Sequence, residues 1–100
     1  MPFVIETWDK PGSQAVRAQH RPSHLEYLDR HAALLIACGA KLHDDASDLG
    51  GGLYIVELET REQAQAFIEA DPFYQAELFH KVQITRWRKS YLLGKNLLKQ

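Results

Sequence analysis

Hydrophobic and polar positions change period several times along the chain, and each change marks an element. Phe3 to Trp8 is a short run rich in β-branched and aromatic residues, closed by the turn sequence Asp9-Lys10-Pro11-Gly12, and is predicted as a first strand. From about Ser13 to Cys38 the spacing becomes helical, with Leu25, Leu28, Ala32, Leu35 and Ile36 gathered on one face. Pro22 interrupts this pattern. Because proline suits a first turn, regular helix is predicted to begin near Pro22, after an irregular stretch carrying Arg17, His20 and Arg21, and to end at Gly39 as its C-cap.

Ala40 to Asp45 reads as a short second strand. Ala46 to Gly52 is a flexible connection into Leu53 to Leu58, the clearest strand, and the two form a hairpin. Thr60, with Gln63 three residues on, is a capping box for a helix through Ala64, Phe67 and Ile68 that ends before Asp71-Pro72. Phe73, Ala76, Leu78 and Phe79 suggest another short helical turn. Val82, Ile84 and Arg86 alternate with Gln83, Thr85 and Trp87 as a last strand. The order β-α-β-β-α-β predicts an α+β, ferredoxin-like antiparallel sheet with two helices on one face. Trp8, Tyr54, Trp87 and several leucines are then left for the open face, where they line a pocket or meet a second subunit.

With 100 residues, 45% of them hydrophobic and 25% charged, the chain is expected to be a single globular domain over 1–100, residues 91–100 forming a basic, leucine-bearing tail. A domain this small buries only about 60 to 70% of its unfolded surface, which favours self-association. The formal charge of -1 and scattered basic residues argue against nucleic-acid binding. No apolar window reaches membrane-spanning length, and Met1 to Asp9 lacks the pattern of a secretory signal, so a cytoplasmic protein with no membrane contact is expected. Cys38 is the only cysteine and is expected to be a small buried hydrophobe.

Arg17, the run Arg21-Pro22-Ser23-His24-Leu25-Glu26-Tyr27-Leu28, the strand Gly51-Gly52-Leu53-Tyr54-Ile55-Val56-Glu57 and Asp71-Pro72-Phe73 resemble the YCII-related family, in the right order and over nearly the whole chain. The resemblance implies a dimeric α+β barrel, in which two ferredoxin-like sheets pack together, and an active site centred on His24 and Asp71. It further implies a lyase or isomerase acting without cofactor, similar to the family's dehydrochlorinase and to muconolactone isomerases of the wider superfamily. The chain departs from the family in two places. Gly39-Ala40-Lys41-Leu42 stands where Gly-Pro-Leu is usual, and Gly52 stands where serine is frequent.

The chemistry of these residues fits that implication. Histidine exchanges a proton near neutrality, and a carboxylate orients its ring and stabilises the charged form. Asp71 also reads as the N-cap of the turn begun by Pro72, and one carboxylate can serve both purposes. Arg17 and Arg21 are candidates to hold an anionic small molecule, and Tyr27, Tyr54 and Phe73 to wall an aromatic one. His20 and His24 have helical ligand spacing, but Pro22 lies between them and neither HExxH nor a cysteine pair is present, so no metal is expected. The expected partners are a small-molecule ligand and a second copy in a homodimer. The alternative is a non-catalytic module that binds a small ligand or serves as an accessory dimerisation unit.

Overall fold

The computed structural model describes residues 1–98. Its centre is a four-stranded, wholly antiparallel sheet of strand order β2-β3-β1-β4, formed by β1 (Phe3–Asp9), β2 (Leu35–Leu42), β3 (Asp48–Val56) and β4 (Phe79–Arg86). Helices α1 (Gln14–Arg30), α2 (Arg61–Glu69) and the short α3 (Pro72–Gln75) complete a ferredoxin-like α+β fold. Among the described residues no helix is long and apolar enough to cross a membrane.

Several boundaries differ from the sequence expectation: β3 starts at Asp48, inside the stretch expected to be a flexible connection, β4 starts at Phe79 and not at Val82, and α1 differs at both ends. Helix α1 begins at Gln14 and carries Pro22 in its interior, where the ring removes the hydrogen bond to the Ala18 carbonyl and costs about 3 kcal/mol. Tertiary anchors on both sides of the proline offset this. Arg17 is tied to Asp9 and His24 to Asp71, and both contact the Phe73 ring. The helix then stops at Arg30, not at Cys38. A 3-10 turn (Ala32–Leu34) follows, and Leu35-Ile36 open β2, so Gly39 is a mid-strand residue and not a helix cap. Apolar doublets suit either period, and here the free edge of β3 takes the segment as a strand.

Register decides which side chains face the helices. Ile5 pairs with Tyr54 and Ile84, and Phe3 with Val56, while Val4, Glu6 and Trp8 point the other way and remain only half-buried. Tyr54 is therefore buried beneath the helices, correcting its assignment to the open face. The core is Phe3, Ile5, Tyr54 and Val56 of the sheet against Tyr27, Ala64, Phe67 and Ile68 of the helices. Full burial of each large apolar side chain here contributes about 1.5–3 kcal/mol. On the open face, the Lys41 and Lys81 ammonium groups lie 4.0 and 4.8 Å from the Trp8 ring centroid.

The α2 capping box is present as expected, the Thr60 side chain accepting from Gln63 N–H and the Gln63 side chain accepting from Thr60 N–H. Cys38 is exposed, contrary to expectation. Past β4, Tyr91–Leu92 and Lys95–Asn96 pair as a small hairpin, β5 and β6, whose turn residue Leu93 is 99% exposed. The last two positions of the expected tail, 99–100, lie outside the described residues.

Candidate active site

Three elements converge on Asp71. Pro72 starts α3 with a fixed φ, and Asp71 is its N-cap, the Oδ1 atom accepting from Phe73 N–H at 2.8 Å. Tyr54, projecting from β3, donates its hydroxyl to Oδ2 at 2.8 Å. His24, two residues beyond the proline of α1, places Nδ1 at 2.9 Å from both carboxylate oxygens. A backbone N–H can only donate and an ionised carboxylate can only accept, so Nδ1 carries the proton and Nε2 is the basic nitrogen. Asp71 is fully buried, while the His24 side chain keeps 11% of its surface exposed.

The surroundings fix the imidazole further. It stacks on Phe73 with centroids 4.0 Å apart and planes 15° off parallel, and meets the edge of Tyr54 at 6.2 Å. Burial first, and then the charge of Asp71, hold the Tyr54 phenol far above its usual pKa, so it stays a donor to the carboxylate. Sequence reasoning had Tyr54 as an aromatic wall and missed this second contact. Only the pairing of Tyr54 with Ile5 reveals it, because Leu53 to Leu58 is apolar at both parities.

His24 opens into a cavity of about 180 Å³ whose walls include Leu25, Leu28, Cys38, Gly52, Tyr54 and Phe73. Cys38 is exposed as a residue, yet desolvation of its sulfur, reinforced by the Asp71 charge, pushes the thiol up to about 11. The Gly52 N–H donates to the buried Thr7 hydroxyl at 2.9 Å, and a Cβ at Gly52 would come within 2.9 Å of the Gly39 carbonyl oxygen. The strands are too close there for the family's serine without a backbone shift.

The remaining candidates divide. Arg17 and Arg21 both line this cavity. Arg17 is bound through Nε and an Nη to the two Asp9 oxygens at 2.7 and 3.1 Å, with its guanidinium carbon 4.6 Å from the Phe73 ring centroid. Burial alone would lower its pKa, but the hydrogen bond and charge of Asp9, with the charge of Asp48 and the Tyr54 phenol, together raise it. Arg21 is exposed and forms no ion pair among the described residues. Tyr27 is not on the cavity wall. Its hydroxyl donates to the Phe67 carbonyl at 2.6 Å, and its ring packs on His31 and Phe67 in the core. Among the described residues no group of three His, Cys, Asp or Glu side chains is arranged to hold a metal ion.

Known proteins share this arrangement of elements. The dehydrochlorinase TftG of Burkholderia phenoliruptrix AC1100, which acts on 5-chloro-2-hydroxyhydroquinone and was solved with 2,5-dihydroxybenzoquinone, superposes with a TM-score of 0.81 at 35% identity, over 88% of this chain and 94% of that one. An antibiotic biosynthesis monooxygenase aligns with a TM-score of 0.50 at 16% identity, over 88% and 99% of the two chains, a likeness of fold alone. In sequence, Protein YciI of Escherichia coli and of Shigella flexneri are each 32% identical over 98 residues, covering 91% of this chain and all of theirs. Residues 1–88 match the YCII-related domain, and the chain belongs to the YCII-related family.

Proposed function

We propose that the chain is a small-molecule enzyme, a lyase or isomerase working without cofactor on phenolic or lactone-type substrates, with His24 as proton carrier. The observation that carries this is the 2.9 Å contact of His24 Nδ1 with a fully buried Asp71, opening into a cavity. An engineered apolar cavity of about 150 Å³ admits benzene, so the 180 Å³ here suits one substituted ring. Kinship with a dehydrochlorinase of a chlorinated hydroxyhydroquinone supports the same substrate class.

In this mechanism Nε2 removes a proton from the bound ring or its hydroxyl, and the Asp71 charge stabilises the resulting imidazolium. In an isomerisation the proton returns to a different carbon. In an elimination the electron pair of the broken C–H bond forms the new double bond while the leaving anion departs with its own pair. Phe73 and Tyr54 wall the ring, and Arg17 and Arg21 form the cationic side of the site. Proton transfer of this kind contributes about 10²–10⁴-fold in rate.

A screen of small phenols, lactones and chlorinated aromatics with product detection identifies the reaction. His24→Asn then tests it. Alanine would leave Asp71 buried without its partner, confounding chemistry with folding, whereas the asparagine amide nitrogen stands near the Nδ1 position and keeps a donor on Asp71 while removing the base. The variant is expected to fold and to lose turnover. Turnover at the wild-type rate by the folded variant would overturn the proposal.

A further inference from the structure

The cavity at His24 holds about one ring, but it is not isolated. A second chamber of about 390 Å³ adjoins it, lined by the Asp9–Ser13 turn, the start of α1 and Asp48–Gly50, and Arg17 and Arg21 line both spaces. We propose that this chamber receives an anionic arm of the substrate, so that the ligand is a phenolic ring carrying a carboxylate-type side chain held by Arg21. The proposal rests on the reading of the His24 cleft as an aromatic pocket and deepens it.

The two arginines differ in what they have left to give. Arg17, with its side chain only 12% exposed, already spends its fork on Asp9, so its charge is locally cancelled and it acts as a fixed partition beside Phe73. Arg21, one turn further along α1, lines both spaces, and among the described residues no carboxylate pairs with its guanidinium. The chamber carries three cations, Lys10, Arg17 and Arg21, against two acids, Asp9 and Asp48, and Pro11, Ala18 and Leu49 supply apolar wall for a short linker. An excess cation at the junction, with donors in a planar fork, matches a planar anion joined to the ring by one or two carbons.

Three probes separate the possibilities by titration calorimetry: hydroquinone, 2,5-dihydroxyphenylacetate and the neutral 2,5-dihydroxyphenylacetamide. The acid is expected to bind wild-type protein about tenfold or more tighter than the amide, as a new charge-assisted contact requires. Arg21→Gln is expected to erase that ratio, while Arg88→Gln, an equal change of net charge after β4, keeps it. Equal binding of acid and amide by wild type, or survival of the ratio in Arg21→Gln, overturns the chamber while hydroquinone binding leaves the aromatic cleft standing. Failure of all three probes to bind overturns the aromatic cleft and the chamber with it.

Discussion

Replacing Asp71 with asparagine keeps the side-chain shape and the α3 cap but removes a charge that three donors share. Oδ1 can still accept from Phe73 N–H, since asparagine caps about as well as aspartate. The new amide NH₂ faces Tyr54 and His24 where Oδ2 stood. The tyrosine hydroxyl can rotate to accept. With Nδ1 at 2.9 Å from both positions, an Nδ1 proton would still reach Oδ1 but would meet the amide N–H head-on, so the ring is expected to move its proton to Nε2, the atom proposed to act as base, and to accept at Nδ1. Exchanging charge-assisted for neutral hydrogen bonds costs about 1–2 kcal/mol, a fall in Tm of about 4–16 °C for a chain of this size. Turnover is expected to fall by about 10²–10⁴, the full share of the proton transfer. The imidazole ¹⁵N shifts, read by NMR where the ring is neutral, check the tautomer without any substrate: Nδ1–H in wild type, Nε2–H in Asp71→Asn. A wild-type ring protonated at Nε2, or a variant with unchanged tautomer and rate, would refute the argument. Asp71→Ala is a harsher change. By removing the cap it strands the Phe73 N–H, and with it the Tyr54 hydroxyl, in the core, together about 2–6 kcal/mol, a large part of a small domain's stability.

Three further outcomes are expected. With its thiol pushed up to about 11, Cys38 holds about 200-fold less thiolate at pH 8 than a free cysteine; greater intrinsic nucleophilicity returns about tenfold, so iodoacetamide should react about 10–20-fold slower, with a rate still climbing past pH 9. A plateau below pH 9 would contradict this. Gly51 lies at φ +128 with the Thr7 carbonyl oxygen where a Cβ would go, so Gly51→Ala should cost about 3 kcal/mol or more, whereas Gly12→Ala, at φ +71 with open space, should cost about 1; equal melting temperatures would be the wrong result. A homodimer joined through the open sheet face, with tail leucines on the partner, should give twice the chain mass by light scattering at micromolar concentration, and a monomer there would remove that assembly.

The parts of the fold that the sequence made legible are those where one local signal has one outcome. Thr60 and Gln63 announce a helix start by side chains that bond their own backbone, and Asp71-Pro72 announces another. The misplaced boundary came from Leu35-Ile36, which extends a helical stripe as well as it begins a strand, so the choice lay with β3, a partner far away in sequence. Helix α1 buries only Tyr27 and is held by ion pairs and ring contacts, which leave little apolar periodicity to find. The site was legible to the extent that the family resemblance named His24 and Asp71. The Tyr54 contact and the Asp9–Arg17 pair depend on strand parity and on the turn between β1 and α1, and spacing encodes neither.

Asp71 serves two masters, and inheritance will treat its two bonds unequally. The contact to Phe73 N–H sustains the fold whatever the protein does, so a descendant that abandoned its chemistry would still be held to an aspartate or asparagine before Pro72. His24 is held only to a donor, since any side chain that keeps an N–H on the buried carboxylate, asparagine among them, satisfies the fold. On the proposed mechanism, an intact Asp-Pro-Phe among relatives of this chain therefore reports folding alone, and the position corresponding to His24 is the one that would separate working enzymes from retired scaffolds.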